Sequence, residues 1–414
     1  MPSPPSPTDI SISLLAKTGL QLQSIKTLQS LWAGYGYICH ATASRLPSLA
    51  SSGKSSRSAS ASNSGISTPE DHHSLILKLI TPPPANAGDE GHMRKMLSYQ
   101  VEQYFYSHLA PLLPPSIPVA KCLASINEQQ SDGTSTTAMI LTDLRQTFPI
   151  AGEKREALSV TQVHAALDWL SSFHGFWWPR VKDIRRTELV HPPIEEFSRN
   201  VHEAQSRTVW LNGGYTYLAT RRSEFANLAA DHDSEWREPL TDSEEDGQSI
   251  SEIVASILAP RGRGRGPAEG YMTLIHGDVK SENLFTSRDG KEVAFYDFQY
   301  TGLGLGVCDL TKLFTCSVPL SMLVGKGSVG KELAMQEPEK ELLDRYLLRL
   351  KEVSGKGYEW DIFVRHWETA LVDWLRFQAS WGFWGNTKWL EARVRHILKD
   401  EEWRSGVAGN RSYA

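Results

Sequence analysis

Leu274-Ile275-His276-Gly277-Asp278-Val279-Lys280-Ser281-Glu282-Asn283-Leu284-Phe285-Thr286, followed by Glu292-Val293-Ala294-Phe295-Tyr296-Asp297-Phe298-Gln299, is the stretch that decides how this chain is read. Asp289-Gly290 separates two short β-rich runs, a strong local signal for a tight hairpin. A hairpin folds the second run back along the first. It therefore returns Asp297 to the neighbourhood of Asn283, so that a carboxylate and an amide oxygen meet. Hard oxygen donors in such small number suit Mg²⁺, which keeps several waters and takes further ligands from phosphate. The bland alternative is a surface hairpin with incidental acids, which would have to place Asp278, Asn283 and Asp297 together by accident.

Phosphoryl transfer from ATP calls for this set of groups. One carboxylate orients the attacking hydroxyl and accepts its proton, while an amide and a second carboxylate hold the metal. Asp278 stands five residues before Asn283, and Asp297 fourteen after it. That spacing matches the kinase pattern H-R-D-x-x-x-x-N followed by D-F-G, with Gly277 in place of the Arg and Gln299 in place of the last Gly. Gly277 offers no charge to read a phosphorylated activation loop, and no A-P-E signature follows Asp297. Only a short Gly-rich stretch separates Asp297 from Asp309, which leaves little chain for a peptide-docking platform. The acceptor expected is the hydroxyl of a small molecule. A catalytically inactive nucleotide-binding scaffold and a protein kinase stand as the alternatives.

Composition narrows the class. The chain has 414 residues, 40% of them hydrophobic, enough for a sizeable core in one large or two ordinary domains. A net charge of −5 argues against a general nucleic-acid binder. Cys39, Cys122, Cys308 and Cys316 form no CxxC pair and are too sparse for a disulfide scaffold, which suits a reducing compartment. No run approaches the roughly 20 apolar residues of a membrane span, and the Pro/Ser-rich start is not a signal peptide. A soluble cytoplasmic protein without membrane or specific nucleic-acid partners is the expectation.

Along the chain, residues 1–19 read as a flexible N-terminal tail, although a periodic pattern begins near Ile10. Residues 20–143 read as a β-rich lobe, with a disordered Ser-rich insertion at about 48–70 that has almost no aliphatic residues to bury. Residues 144–400 read as a helical lobe and 401–414 as a C-terminal tail. Within the helical lobe, about 231–270 reads as a flexible insertion. It carries the acidic run Asp242 to Asp246 and the run Arg261-Gly262-Arg263-Gly264-Arg265-Gly266, which is either a contact for RNA or an acidic partner or, more blandly, a solvated loop.

Leu75-Ile76-Leu77-Lys78-Leu79-Ile80 is a strand interrupted by one lysine, and a buried ammonium is costly without a partner. Glu102 is the partner expected, on a helix whose apolar stripe runs through Leu97, Val101, Tyr104, Phe105 and Leu109. A strand Lys gripping the ATP phosphates with a helix Glu behind it is a kinase arrangement. Otherwise Lys78 snorkels at an edge and Glu102 is solvated. Gly34 and Gly36 lie in a turn that either approaches phosphate oxygens closely or simply joins two strands. Ala138 to Leu144 reads as a strand leading to a hinge, where backbone groups at Thr142 and Leu144 would hold adenine. Val163, Leu167, Leu170 and Phe173 have helical spacing. His174 beside them reads as a packed histidine rather than a second base, since Asp278 fills that role. Trp367, Trp374, Phe377, Trp381, Phe383, Trp384 and Trp389 read mostly as core, with cradling of a cationic substrate as the functional alternative. Glu195, Glu196 and Asp344 are the acids that could complete such a cation site, or else solvated surface.

These residues resemble the aminoglycoside phosphotransferase and choline kinase-like superfamily, especially its ecdysteroid-kinase-like branch. The resemblance is carried by His276-Gly277-Asp278 with Asn283, by Asp297-Phe298-Gln299, and by Thr301-Gly302-Leu303-Gly304 with Asp309-Leu310. Weaker echoes are Lys78, the Glu102 helix and Leu170 to His174. The resemblance implies an α+β, protein-kinase-like two-lobed fold, with a small β-rich N-lobe and a larger, mostly helical C-lobe. It implies ATP and Mg²⁺ as cofactors, Asp278 as the catalytic base, and Asn283 and Asp297 as the magnesium ligands. Lys78, oriented by Glu102, would hold ATP phosphates. Lys280 stands where protein kinases keep a lysine that reaches the γ-phosphate, and Asp309 would brace the catalytic loop.

Overall fold

The computed structural model describes residues 6–45, 72–86, 88–129, 135–199, 207–243, 247–260, 268–325 and 327–409. The Ser-rich segment, Glu244 to Asp246 and the arginine–glycine run lie outside them. The chain divides into two compact units, residues 1–85 with 120–146, and residues 86–119 with 147–414. The fold is α+β: an antiparallel sheet unit and a mostly helical unit.

In the first unit, helix α1 (Pro7–Ala16) precedes strands β1 (Leu20–Ser30), β2 (Gly36–Arg45), β3 (His73–Ile80), β4 (Cys122–Gln129) and β5 (Ser135–Thr142). The strands form one antiparallel sheet in the order β1-β2-β3-β5-β4. Alternate residues of three neighbouring strands make one apolar face: Cys39 and Ala41, then Leu75, Leu77 and Leu79, then Ala138 and Ile140. The small side chains on β2 leave room for Leu14 and Leu15 of α1, both fully buried. The expected flexible tail is thus an ordered helix from Pro7 onward. Ser6 caps it by accepting from the Asp9 N–H, and Pro7 fits the first helical position because its missing N–H is not needed there. Lys78 pairs in register with Ile38 and Met139 and, by the period of two, points to the sheet face opposite α1.

The second unit contains α2 (Glu90–Tyr104), β6 (Ile150–Ala151), α3 (Val160–Trp177), α4 (Pro193–Ser198), α5 (Arg222–Ala230), α6 (Arg237–Thr241), α7 (Ile250–Leu258), β7 (Thr273–Ile275), β8 (Leu284–Thr286), β9 (Val293–Phe295), β10 (Gly302–Gly304), α8 (Val307–Cys316), α9 (Ser321–Val324), α10 (Glu337–Ser354), α11 (Trp360–Trp381), α12 (Thr387–Ile397) and α13 (Glu401–Gly409). The helix expected in the β-rich lobe, α2, belongs instead to this helical unit. Its predicted stripe at Leu97, Val101, Phe105 and Leu109 is buried, while Tyr104 is only half-buried. Leu97 and Val101 pack with Val190 and Trp210. The helix starts at Glu90, ahead of the periodic stripe, because Asp89 caps it.

Two further expectations give way to ordered helices. The described part of the supposed insertion at 231–270 includes α7, which buries Ile250, Ile253, Val254, Ile257 and Leu258. A capping box between Ser249 and Glu252 starts it. The supposed C-terminal tail contains α13, which buries Trp403 and Val407. Phe314, Trp367 and Trp389 form part of the core between α8, α11 and α12. Among the described residues no helix is long and apolar enough to cross a membrane.

Candidate active site

The hairpin forms as its turn residues require. β8 and β9 pair antiparallel, Leu284 opposite Phe295, across a turn in which Gly290 has φ 71°. The Tyr296 N–H donates to the Asn283 carbonyl at 3.0 Å, so Asp297 comes one residue after the partner of Asn283. Asp297 itself has left-handed backbone angles, φ 66° and ψ 57°, which end the strand and turn the chain into a short helical turn. That strained conformation in a non-glycine residue is common at functional sites. The following Phe298 is fully buried and stacks on Phe105 at 3.8 Å between ring centroids, anchoring the turn in the core.

The loop leaving β7 is held by backbone contacts as much as by side chains. Asp309, at the start of α8, accepts from the amides of His276 (2.7 Å) and Gly277 (2.9 Å). Its carboxylate also meets His174 Nε2 at 3.1 Å, and His174 Nδ1 meets the Tyr346 hydroxyl at 2.9 Å. Burial alone would raise the Asp309 pKa, but the hydrogen bond and charge of His174, then Lys312, hold it below the ordinary carboxylate value. His174 is therefore a packed histidine, as its sequence context predicts. His276 is also completely buried. Its Nδ1 accepts from the Asp278 N–H at 3.2 Å, which leaves the proton on Nε2 to be donated to the Tyr296 carbonyl at 3.0 Å. Burial lowers its pKa against the pull of Asp309 and Asp278, which keeps this neutral tautomer in place. The imidazole thereby ties the loop after β7 to the segment that leads from β9 to Asp297.

Asp278, Lys280 and Asn283 come together. The Asp278 carboxylate accepts from Asn283 Nδ2 at 3.0 Å and pairs with Lys280 Nζ at 3.1 Å. Asn283 Nδ2 donates as well to the Asp278 carbonyl at 2.8 Å. With the amide nitrogen committed twice to Asp278, the Asn283 carbonyl oxygen is directed away from that residue and is the group available to a cation. Lys280 also pairs with Glu282 at 3.0 Å. Burial disfavours its charge, but the two carboxylates outweigh burial and raise its pKa.

An amide oxygen and the Asp297 carboxylate fit Mg²⁺, which needs few protein ligands. Among the described residues no group of three or more His, Cys, Asp or Glu forms a ready-made cage for another metal.

The nucleotide-binding expectations fall partly in the sheet unit. Lys78 is buried there and Glu102 is buried in the helical unit. Gly34 and Gly36 both have positive φ. A Cβ on Gly36 would lie 1.9 Å from the Leu79 carbonyl oxygen, so close strand approach already demands glycine there, whereas Gly34 faces open space. Thr142 ends β5 with its N–H bonded to the Lys121 carbonyl, and Leu144 opens a short helical turn. Between them, Asp143 accepts from Arg145, and from Ser74 of β3 at 2.8 Å, fixing the end of β5 to its neighbour. Glu196, one of the acids considered for a cation site, is tied to the His191 amide, Arg207 and Arg199. Asp344 is exposed on α10. Tyr215, which lies in the field of Asp278, and Arg221, which packs on the Tyr215 ring, carry no sequence signature.

A carboxylate bridged to a lysine and an asparagine on a braced loop, with a second aspartate on the returning strand, defines a kinase-like site. The chain belongs to the ecdysteroid kinase-like family, whose pattern matches residues 61–328. Comparison with curated proteins gave no match. Among solved structures it is similar to a macrolide 2′-phosphotransferase from Brachybacterium faecium, with 13% identity, 98% of each chain covered and a TM-score of 0.38. It is also similar to a choline kinase from Cryptosporidium parvum, with 11% identity, 98% of this chain and 96% of that one covered, and a TM-score of 0.39. A Plasmodium vivax ethanolamine kinase is similar at 12% identity over 93% of this chain and 84% of that one, with a TM-score of 0.38. Likenesses at this level say nothing of the substrate.

Proposed function

We propose that the protein transfers the γ-phosphoryl group of ATP to a hydroxyl group of a small molecule, in a Mg²⁺-dependent reaction. The observation that carries this reading is the carboxylate of Asp278, held by Lys280 and Asn283 on a loop whose backbone Asp309 clamps. Asp278 orients the acceptor hydroxyl and takes its proton as the new oxygen–phosphorus bond forms and the bond to the ADP leaving oxygen breaks. Lys280 steadies the Asp278 carboxylate and offers a fixed positive charge to the transferring group. Asn283 and Asp297 would hold the metal, which supplies charge neutralisation at the phosphates. In this reading Lys78, with Glu102, and the turn at Gly34 and Gly36 hold the phosphates, while the backbone at Thr142 and Leu144 holds adenine.

A small acceptor is favoured over a protein because the segment after Asp297 is short and committed. It forms a helical turn, then β10 paired with β7, and α8 begins at Val307. Cysteines as sparse as these suit a reducing compartment, in keeping with action in the cytoplasm.

The test is thermal stabilisation by ATP, with and without Mg²⁺, on the wild type and on Asp297→Ala, followed by transfer assays on hydroxyl metabolites. At about 100 times Kd a ligand adds about 2.7 kcal/mol to apparent stability. A magnesium-dependent shift confined to the wild type is expected. Its absence under every condition would end the kinase reading.

A further inference from the structure

We infer that Arg221 determines acceptor specificity: its guanidinium fills, from within the chain, the aromatic cage beside Asp278, so the site takes uncharged or anionic hydroxyl compounds and excludes ammonium-bearing ones. This rests on the phosphotransferase reading and names its substrate class.

The location follows from backbone geometry. The Gly214 N–H donates to the Tyr300 carbonyl at 2.9 Å, and both groups press on Gly277, the residue before Asp278. Tyr215, next to Gly214, has its ring 5.3 Å from that of Tyr300. Both phenols sense Asp278. Burial first, then the Asp278 charge, raises the Tyr215 pKa, and the Tyr300 pKa responds to burial, Arg221 and Asp278 in that order. Tyr300 thus lies in the fields of the catalytic carboxylate and of Arg221 together.

Two of the three cage rings, Phe377 and Trp381, belong to the aromatic cluster considered in the sequence for a cationic substrate, and Tyr215 is the third. The Arg221 guanidinium carbon lies 5.6 Å from the Tyr215 ring centroid, 5.5 Å from Phe377 and 5.1 Å from Trp381. All three distances fall in the range where a cation is attracted by a ring face. Arg221 is fixed there by Nε donating to the Tyr215 carbonyl at 2.6 Å and by an ion pair with Glu224 at 2.9 Å. It is only 5% exposed, whereas Trp381 is 55% exposed, so the cage opens to solvent with its cation already seated. A second guanidinium, Arg94 of α2, acts on both Arg221 and Tyr300. An incoming ammonium would meet rings already engaged and two like charges, each with its own carboxylate partner, Glu224 for Arg221 and Glu90 for Arg94. At about 6 Å and the effective dielectric of a protein surface, one such repulsion weakens binding roughly a hundredfold.

Removing the guanidinium should invert the preference, because Arg221→Met frees three ring faces and leaves the Glu224 carboxylate without its cation, with Ser223 still donating to it. Calorimetric titration with tetramethylammonium chloride against sodium chloride of equal ionic strength reads this without turnover. The wild type is expected to give no binding heat and Arg221→Met to bind. Binding by the wild type, or none by a folded variant, overturns the inference. Where the variant does not fold, the wild type is assayed with choline and with its neutral isostere, in which carbon replaces the quaternary nitrogen. A kcat/KM roughly a hundredfold higher for the neutral alcohol is expected, and choline used equally well or better overturns the inference. If neither alcohol is phosphorylated, the wild-type calorimetry decides. Failure of the phosphotransferase reading itself appears separately, as loss of the ATP–magnesium shift.

Discussion

A methyl group added at Gly277 would lie 2.2 Å from the Tyr300 carbonyl oxygen and 2.8 Å from the Gly214 amide nitrogen, on a backbone with φ 87°. Backbone atoms on both sides leave nothing to yield, so the departure from the protein-kinase arginine is a steric necessity in this chain. Gly277→Ala is expected to cost about 2 kcal/mol or more in urea unfolding, since a forbidden φ alone costs about 1–3 kcal/mol. A variant with the wild-type midpoint would show that the loop has slack. Asp278→Asn removes the proton acceptor but keeps the shape, so transfer should fall by about 10²–10⁴ while the ATP–magnesium shift persists. Unchanged turnover would take Asp278 out of the mechanism. Asp278, Lys280 and Asn283 were legible because their association is local: six residues of chain bring them together. Tyr215 and Arg221 were not, since only tertiary packing sets Gly214 and Tyr215 beside Gly277 and Arg221 on the Tyr215 ring, and no spacing records it.

The β8–β9 hairpin was readable from Asp289-Gly290 alone, since the turn chemistry admits few alternatives. Helices α1 and α7 were missed for a different reason: their composition or their flanks resemble those of linkers. α1 follows a Pro/Ser run, yet Ser6-Pro7 with Asp9 is a helix-start pattern, and Leu14-Leu15 needed a covering surface that only the sheet supplies. Leu15→Ala should therefore cost about 2–5 kcal/mol in chemical unfolding, as for a core leucine. A cost under about 0.5 kcal/mol would restore the tail reading. α7 stands between an acidic run and an arginine–glycine run, which masked the helical spacing of Ile250, Ile253, Val254, Ile257 and Leu258. Ser249→Ala breaks its capping box and should lower stability by about 1 kcal/mol. An unchanged melting temperature would mean that packing, chiefly against α11, holds the helix without the cap.

At the scale of the whole molecule, the sheet unit ends at Gln146, just after the apolar strand β5 and ahead of the long helix α3. The allegiance of α2 to the helical unit was not legible in the sequence, since it is decided by contacts with residues distant in sequence, such as Leu97 and Val101 with Val190 and Trp210. The same burial that builds the helical unit makes its stability depend on pH. His366 is buried against the Tyr358 hydroxyl at 2.5 Å, and burial, aided by the charge of Arg365, lowers its pKa to about 4. In the unfolded chain a histidine titrates near 6.5. Between those values the unfolded chain binds a proton that the folded protein refuses, so stability falls as pH drops from about 6.5 to 4, by about 3 kcal/mol for this one group. Buried Glu339 and Glu368, whose pKa values burial raises against the charge of Arg393, act in the opposite direction in part of that range. Comparing the wild type with His366→Gln cancels those carboxylates. The difference in unfolding free energy between the two should shrink steadily in the wild type's disfavour from about pH 6.5 to 4, measured by urea titration at successive pH values. A difference that stays flat across that window would mean that His366 gains its proton in the folded state, and that Tyr358 turns to accept from it.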